Sequence, residues 1–217
     1  MGPAVKRLAR GLLLALALVA LATFAALSLW FGGRSAWAAL GTMAARTQVT
    51  AWRNAEGLST LPGRWAPTAQ ILQEGLQISP DDAELQGDLA YLYSQQAIAA
   101  QATTPSEANA FWDQAIAHYR SEAQLRPTFP YGWAYLATAK LYRSQMDAEM
   151  WAAFDTALAH GVNEGGVQPA LATVAFANWD TLDAHYKQRI KDMVNRAHKN
   201  VRPELEKLAS AFGVALQ

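Results

Sequence analysis

Four histidines stand at positions 118, 160, 185 and 198, and cysteine is absent. Without thiols the chain has no disulfide, no thiol nucleophile, no thiolate-bound zinc and no iron–sulfur cluster. No two histidines fall at the HxxxH spacing that places two imidazoles on one helix face, and no HExxH occurs. Asp180, Asp183 and His185 form the one compact acid–histidine group, in the run WDTLDAHY. A metal or general-base reading of that group competes with a simpler one, a helix start with Asp180 at the cap and Asp183 in the first turn. His160, beside Gly161, reads as a helix C-terminal residue. Glu107 with Asp113, and Asp147 with Glu149, are carboxylate pairs of the type used in sugar hydrolysis. A hydrolytic pair needs a cleft and a set separation, and solvated surface charge accounts for both pairs more simply. GxSxG, a GxGxxG after a strand and the Walker loop are all missing. No catalytic set, no metal site and no cofactor is expected from these residues.

Aromatic side chains are the other source of chemistry, because they stack on sugar rings and anchor partners. Eight tryptophans occur in 217 residues. Trp112, Trp133, Trp151 and Trp179 lie among apolar residues at helical spacing and are expected in the core. Trp52 and Trp65, near a less regular stretch, are expected at an exposed surface.

The elements that position these residues read almost wholly as helix after Ser35. Alanine and leucine abound, apolar residues recur every three or four positions, and no β-branched alternation marks a strand. Leu61-Pro62-Gly63, Ser79-Pro80-Asp81-Asp82, Thr103-Thr104-Pro105 and Arg126-Pro127-Thr128-Phe129-Pro130 punctuate the pattern. Gly161 and Gly165-Gly166 end the helix carrying Trp151 and Phe154, and Gly32-Gly33 reads as a turn or linker.

Residues 11–31 form an uncharged apolar run of 21 residues, preceded by Lys6, Arg7 and Arg10 and closed by Trp30 and Phe31. At about 1.5 Å per residue such a helix crosses a hydrocarbon core of roughly 30 Å. Positive charge before the span puts the N-terminus in the cytoplasm and the rest outside. A cleaved secretory signal is the competing reading, with small residues at 23 and 25 or at 36 and 38, but the run exceeds the ~7–15 residues of a usual signal core. The expectation is a single-pass inner-membrane protein with a periplasmic C-terminal domain. Its parts are a cytoplasmic N-terminus (1–10), an anchor (11–31), a linker and first exported helix (32–66), repeats (67–160) and C-terminal helices (161–217).

Lys+Arg and Asp+Glu both number 18, a balance that argues against a nucleic-acid partner. Residues 74–113 are acidic without a lysine or arginine. Residues 187–207 are basic, and Lys187, Arg189, Lys191, Arg196 and Lys199 are a candidate basic face toward anionic lipid, glycan or an acidic partner.

One phrase occurs twice. Gly75-Leu-Gln-Ile-Ser-Pro80 precedes a helix with Leu89, Ala90 and Tyr93, and Ala123-Gln-Leu-Arg-Pro127 precedes one with Trp133, Leu136 and Ala137. With Ala115, Tyr119, Phe154 and Ala157, these residues resemble the packing positions of tetratricopeptide repeats. An earlier half-unit would end at Leu72, Gly75 and Pro80, with Trp37-Leu40-Gly41 as its first helix. Some thirteen residues around 98–110 are inserted in the first full repeat, and the repeats stop after Gly161. The resemblance implies an all-α stack of helical hairpins whose concave face presents Glu84, Tyr91, Ser94 and Gln95, then Tyr131, Ala134, Thr138, Leu141 and Tyr142. The insertion or the C-terminal helices covering that face is the competing expectation.

Over residues 72–200, the runs RPTFPYGWAYLATAKL and GGVQPALATVAFANWDTL, with the acidic segment 147–149 between them, are similar to the VpsP family of exopolysaccharide-associated bacterial proteins. That resemblance implies a non-catalytic, membrane-anchored adaptor whose partners are envelope proteins of a polysaccharide biosynthesis or export system, with glycan contact as a further option. The alternative is an envelope assembly or chaperone module of the cytochrome c maturation type, holding a protein client. An enzyme using Asp180, Asp183 or His185 on a glycan is the minor alternative.

Overall fold

The computed structural model describes residues 2–54 and 63–216, apart from the side chains of residues 3–10 and 12. The turn expected at Leu61-Pro62, and the Lys6, Arg7 and Arg10 side chains, lie outside the described residues. Every regular element among the described residues is helical. In chain order they are α1 (Pro3–Asn54), α2 (Trp65–Ile78), α3 (Ala83–Ala100), α4 (Pro105–Leu125), α5 (Pro130–Tyr142) and α6 (Ala148–Gly161). After these come α7 (Gln168–Ala177), a 3-10 turn (Trp179–Thr181), α8 (Ala184–Arg196) and α9 (Arg202–Ala211).

The first helix overturns the expected break at Gly32-Gly33. It runs unbroken for 52 residues, roughly 78 Å at 1.5 Å per residue. A mid-helix glycine costs only about 1 kcal/mol against alanine, and the alanine- and leucine-rich flanks outweigh two of them. The stretch Leu13–Asn54 is long and apolar enough to cross a membrane, and its most apolar window is wholly exposed.

Beyond the apolar run, α1 becomes a wall of the helical domain. Ala38, Thr42, Ala45, Val49 and Trp52 recur every three or four residues and are buried, facing α2 and α3. Gly75 of α2 permits this approach, because a Cβ there would collide with the Thr42 methyl group. Trp37 and Leu40, expected to pack a first repeat helix, are instead each 70% exposed. Trp52 is likewise a correction: the helix reaches Asn54, so Trp52 falls on the inward stripe and is only 3% exposed. Trp65, at the start of α2, is half-buried against Tyr93 and Phe111. Three arginines fasten α1 to its neighbours. Arg34 Nη2 donates to the Ile78 carbonyl at 2.6 Å, Arg46 pairs with Glu84, and Arg53 reaches Asp88 Oδ1 and the Gly87 carbonyl, both at 3.0 Å.

Consecutive helices from α1 to α7 pack on one another. The turns are built as their sequences suggest. Asp82 Oδ1 accepts from the Glu84 and Leu85 amides at 3.0 and 3.1 Å, and Asp147 Oδ1 accepts from Met150 N at 3.0 Å. Pro105 and Pro130 open α4 and α5, where a missing N–H costs nothing. The surplus residues around 98–110 lengthen one hairpin: α3 and α4 have 18 and 21 residues, against 13 and 14 in α5 and α6. Leu72, Leu85, Leu89, Leu92, Leu136, Met150, Phe154 and Leu158 are completely buried along the helix seams, each worth about 1.5–3 kcal/mol.

An ion cluster ties α4, α5 and α6 together. Lys140 is 2% exposed and lies 2.5 Å from Glu149 Oε2 and 2.9 Å from Asp147 Oδ2. Arg120 takes Glu149 bidentately at 2.5 and 2.9 Å. Those hydrogen bonds, from Arg120 first and then Lys140, hold the Glu149 carboxyl down to about 2. Beyond α6, α7 is apolar on all sides and buries eight of its ten residues, touching α5, α6, α8 and α9.

Candidate functional site

A cavity of about 580 Å³ lies where α3, α4 and α5 meet, with Arg53 of α1 at its edge. Helical periodicity explains its walls. Gly87, Tyr91, Ser94, Gln95 and Ile98 fall at i, i+4, i+7, i+8 and i+11 of α3, one stripe of the helix. Tyr131, Tyr135, Thr138, Ala139 and Tyr142 repeat the same spacing on α5. The floor comes from α4 through Trp112, Tyr119 and Glu122, and Phe129 closes the turn before α5.

Of the expected concave residues, Tyr91, Ser94, Gln95, Tyr131, Thr138 and Tyr142 line this cavity. Glu84 does not: it points from the start of α3 to Arg46, one helix away. Ala134 and Leu141 turn into the protein, the first buried and the second packed against the core. Sequence reasoning missed Arg53, Gly87, Ile98, Trp112, Tyr119, Glu122, Phe129, Tyr135 and Ala139. The tyrosines carried a usable signal, since five of the seven in the chain converge here. The inserted segment supplies Ile98 as part of the wall, and no residue of α7, α8 or α9 lines the cavity.

The rings pack in sequence around the cavity. Trp112 and Tyr142 stack with centroids 5.2 Å apart, Tyr119 and Tyr135 lie 5.6 Å apart, and Phe129 stacks on Tyr131 at 5.1 Å. Ser94 Oγ lies 3.4 Å from the Tyr119 hydroxyl. Burial raises the Tyr91, Tyr119 and Tyr135 hydroxyls above their ordinary value, so these phenols resist ionisation rather than being poised as bases.

Glu122 is the chemical exception. It is 7% exposed, yet its side chain makes no hydrogen bond or close ion pair among the described residues. Two glycines leave room for it. A Cβ on Gly87 would sit 2.6 Å from Glu122 Oε1, and one on Gly132 would sit 3.3 Å from its Cγ. Desolvation lifts the Glu122 carboxyl from 4.5 to about 7, against the pull of Arg53 and Arg126, with Asp88 adding to the rise. Neither arginine is a close partner. Arg53 is committed to Asp88 and Gly87 and lies 4.9 Å from the Tyr91 ring centre, while Arg126 lies 3.8 Å from that of Phe129.

The remaining sequence candidates are dispersed. Asp183, not Asp180, caps α8, accepting from Tyr186 N at 2.9 Å. Leu182 is extended, so the helix begins one turn later than the acidic pattern suggested. His185 is exposed, and among the described residues no three metal-binding side chains converge. His118 is bonded to Gln86 Oε1 at 2.6 Å and stacked on Tyr93. Glu107 accepts from the Thr104 hydroxyl at 2.9 Å, and Asp113 pairs with Arg143 at 2.8 Å. Lys187 and Lys191 lie one turn apart on α8, on one flank of the buried Ile190–Val194 stripe, and Arg189 and Arg196 lie on the other flank. Lys199 follows in the exposed turn after α8. The basic residues thus flank an inward stripe instead of sharing one face.

No protein-family model matches the chain, and no curated protein matches it.

Proposed function

We propose that this chain is a membrane-anchored, non-catalytic adaptor. Its hairpins form a tetratricopeptide-like stack outside the cytoplasm and hold a partner protein of an exopolysaccharide biosynthesis or export system. The observation that carries the reading is the aromatic cavity between α3 and α5, lined at matching i, i+4, i+7, i+8 and i+11 positions of two helices. Such repetition suits an extended polypeptide, whose side chains recur along its length. The rim supports docking too, since Ile98, Tyr135 and Tyr142 are large, apolar in part and exposed.

The apolar helix α1 also reaches the cavity, where Arg53 stands at the edge. Arg34, Arg46 and Arg53 fasten it to the hairpins, so the groove is carried at a set height above the lipid. Confinement near other membrane components raises effective concentration without new contacts. The upward-shifted tyrosines, and a single carboxyl among the described lining residues, favour binding over acid–base chemistry, because hydrolysis of the two-carboxylate type needs a second acid at a defined distance.

Deletion of the gene in its own host, with measurement of exported polymer, tests the pathway. Reduced polymer is expected, restored by the parent gene. Unchanged polymer, together with membrane pull-downs that recover assembly clients instead of polysaccharide machinery, would favour the chaperone alternative.

A further inference from the structure

We propose that the cavity receives the ammonium group of a lysine side chain from the partner's extended segment, with the Glu122 carboxylate as counter-ion and the tyrosine rings as walls. The inference rests on the docking reading above and adds the chemistry of the docked residue.

Three observations lead to a cation. The first is Glu122 itself, a carboxyl 7% exposed that lines the cavity without a close partner among the described residues. Burial without a counter-charge is costly, and a ligand cation removes that cost. The second is the pair of aromatic rings, Tyr119 and Tyr135, beside it in the lining, since such rings attract a cation held within about 6 Å of a ring centre. The third is the direction of the neighbouring hydroxyls. Ser94 Oγ donates to the Tyr91 carbonyl at 2.8 Å, and Thr138 Oγ1 donates to the Ala134 carbonyl at 2.9 Å. Their protons are spent, so toward the cavity these oxygens only accept.

That combination separates lysine from its competitors. An ammonium has three donors and no acceptor, the complement of a carboxylate and two accepting hydroxyls. A neutral sugar hydroxyl brings no positive charge to the buried carboxylate. An acidic segment would meet Glu122 as a like charge. The two resident cations do not fill the role, since Arg53 is held by Asp88 and the Gly87 carbonyl, and Arg126 lies over Phe129. Lysine's aliphatic stem also suits a passage walled by Ile98, Trp112 and Tyr142.

The charge state of Glu122 gives the proposal a pH signature. The groups acting on that carboxyl are Arg53 from α1, Asp88 from α3 and Arg126 after α4, together with the Tyr119 and Tyr135 hydroxyls. Glu122 itself is held at about 7, and burial also raises the Asp88 carboxyl, against the pull of Arg53 and Arg46.

The test uses the full chain in detergent micelles and calorimetric titration with two blocked ten-residue glycine–serine peptides. One carries a central lysine, and the other norleucine, which has the stem without the charge. At pH 8 the lysine peptide is expected to bind at least about tenfold more tightly. The preference should vanish in E122Q and fall by about tenfold or more for the parent protein at pH 5.5. Should E122Q misfold, the parent protein's pH series decides alone. Equal affinity for the two peptides overturns the lysine assignment and leaves peptide docking standing. Binding of neither peptide overturns both. Tighter binding of glucosamine oligomers than of the lysine peptide overturns the assignment in favour of an amino-sugar ligand.

Discussion

Replacing Glu122 by glutamine should make the protein more stable above neutral pH. A carboxyl at 4.5 in the unfolded chain and at about 7 in the folded one binds its proton more tightly when folded. Its contribution favours the fold fully below pH 4.5, is lost as pH rises toward 7, and stays lost above that. The full shift corresponds to roughly 3 kcal/mol, and access of water to the cavity lowers the expected value to about 1–3 kcal/mol. Glutamine keeps the shape without the charge, so E122Q and the parent should have equal stability near pH 4.5. E122Q should then be about 1–3 kcal/mol more stable at pH 8, with the gap opening between those limits. Urea denaturation of the full chain in micelles, followed by near-ultraviolet circular dichroism, measures the difference. Comparing variant with parent at each pH cancels other titrating groups, including His118, whose burial holds it below its ordinary value. A constant gap across pH 4.5–8, or a less stable E122Q at pH 8, would refute the reasoning.

Three further outcomes follow from the same geometry. G87A crowds the Glu122 carboxyl, 2.6 Å from the new methyl group, and pushes it toward water; on that background the stabilisation by E122Q at pH 8 should shrink by about half or more in a double-mutant cycle. Glu149 is held at about 2 by Arg120 and Lys140, so the stability it contributes is present above pH 4.5 and lost as pH falls toward 2; E149Q should flatten the acid limb of a circular-dichroism titration. Phe154 is fully buried on α6, and F154A should cost about 3–5 kcal/mol in denaturant unfolding while leaving the cavity residues unaltered.

The helices were legible because their signals are local. Ser79-Pro80-Asp81-Asp82 contains both the break and the cap, and Asp82 makes the two hydrogen bonds that such a residue can make. Gly32-Gly33 misled because glycine marks a turn only when nothing else favours helix, and here a long apolar run on one side and a packed stripe on the other carry it through. Six of the fifteen lining residues followed from register: a stripe on α3 and another on α5 can be drawn from spacing once two helices are supposed to be equivalent. The rest depended on which helices meet. Glu122 reads as a routine surface acid in a sequence, since neither Gly87 nor Gly132 lies near it along the chain. Arg53 was hidden for the same reason, as nothing local indicates that the end of α1 folds against α3. Trp37 and Leu40 show the converse, apolar residues at helical spacing that are left outside while Ala38 and Thr42 face inward.

Photocross-linking from the cavity rim tests the central claim most directly. With p-benzoylphenylalanine in place of Tyr142, which is 49% exposed beside Trp112, irradiation of native membranes should yield a discrete polypeptide adduct. Protease should destroy the adduct's added mass, and its yield should fall when E122Q is combined with the probe. Adducts to lipid or glycan alone, or a polypeptide adduct equally abundant from a probe at exposed Gln188 on α8, would contradict a groove that grips a protein.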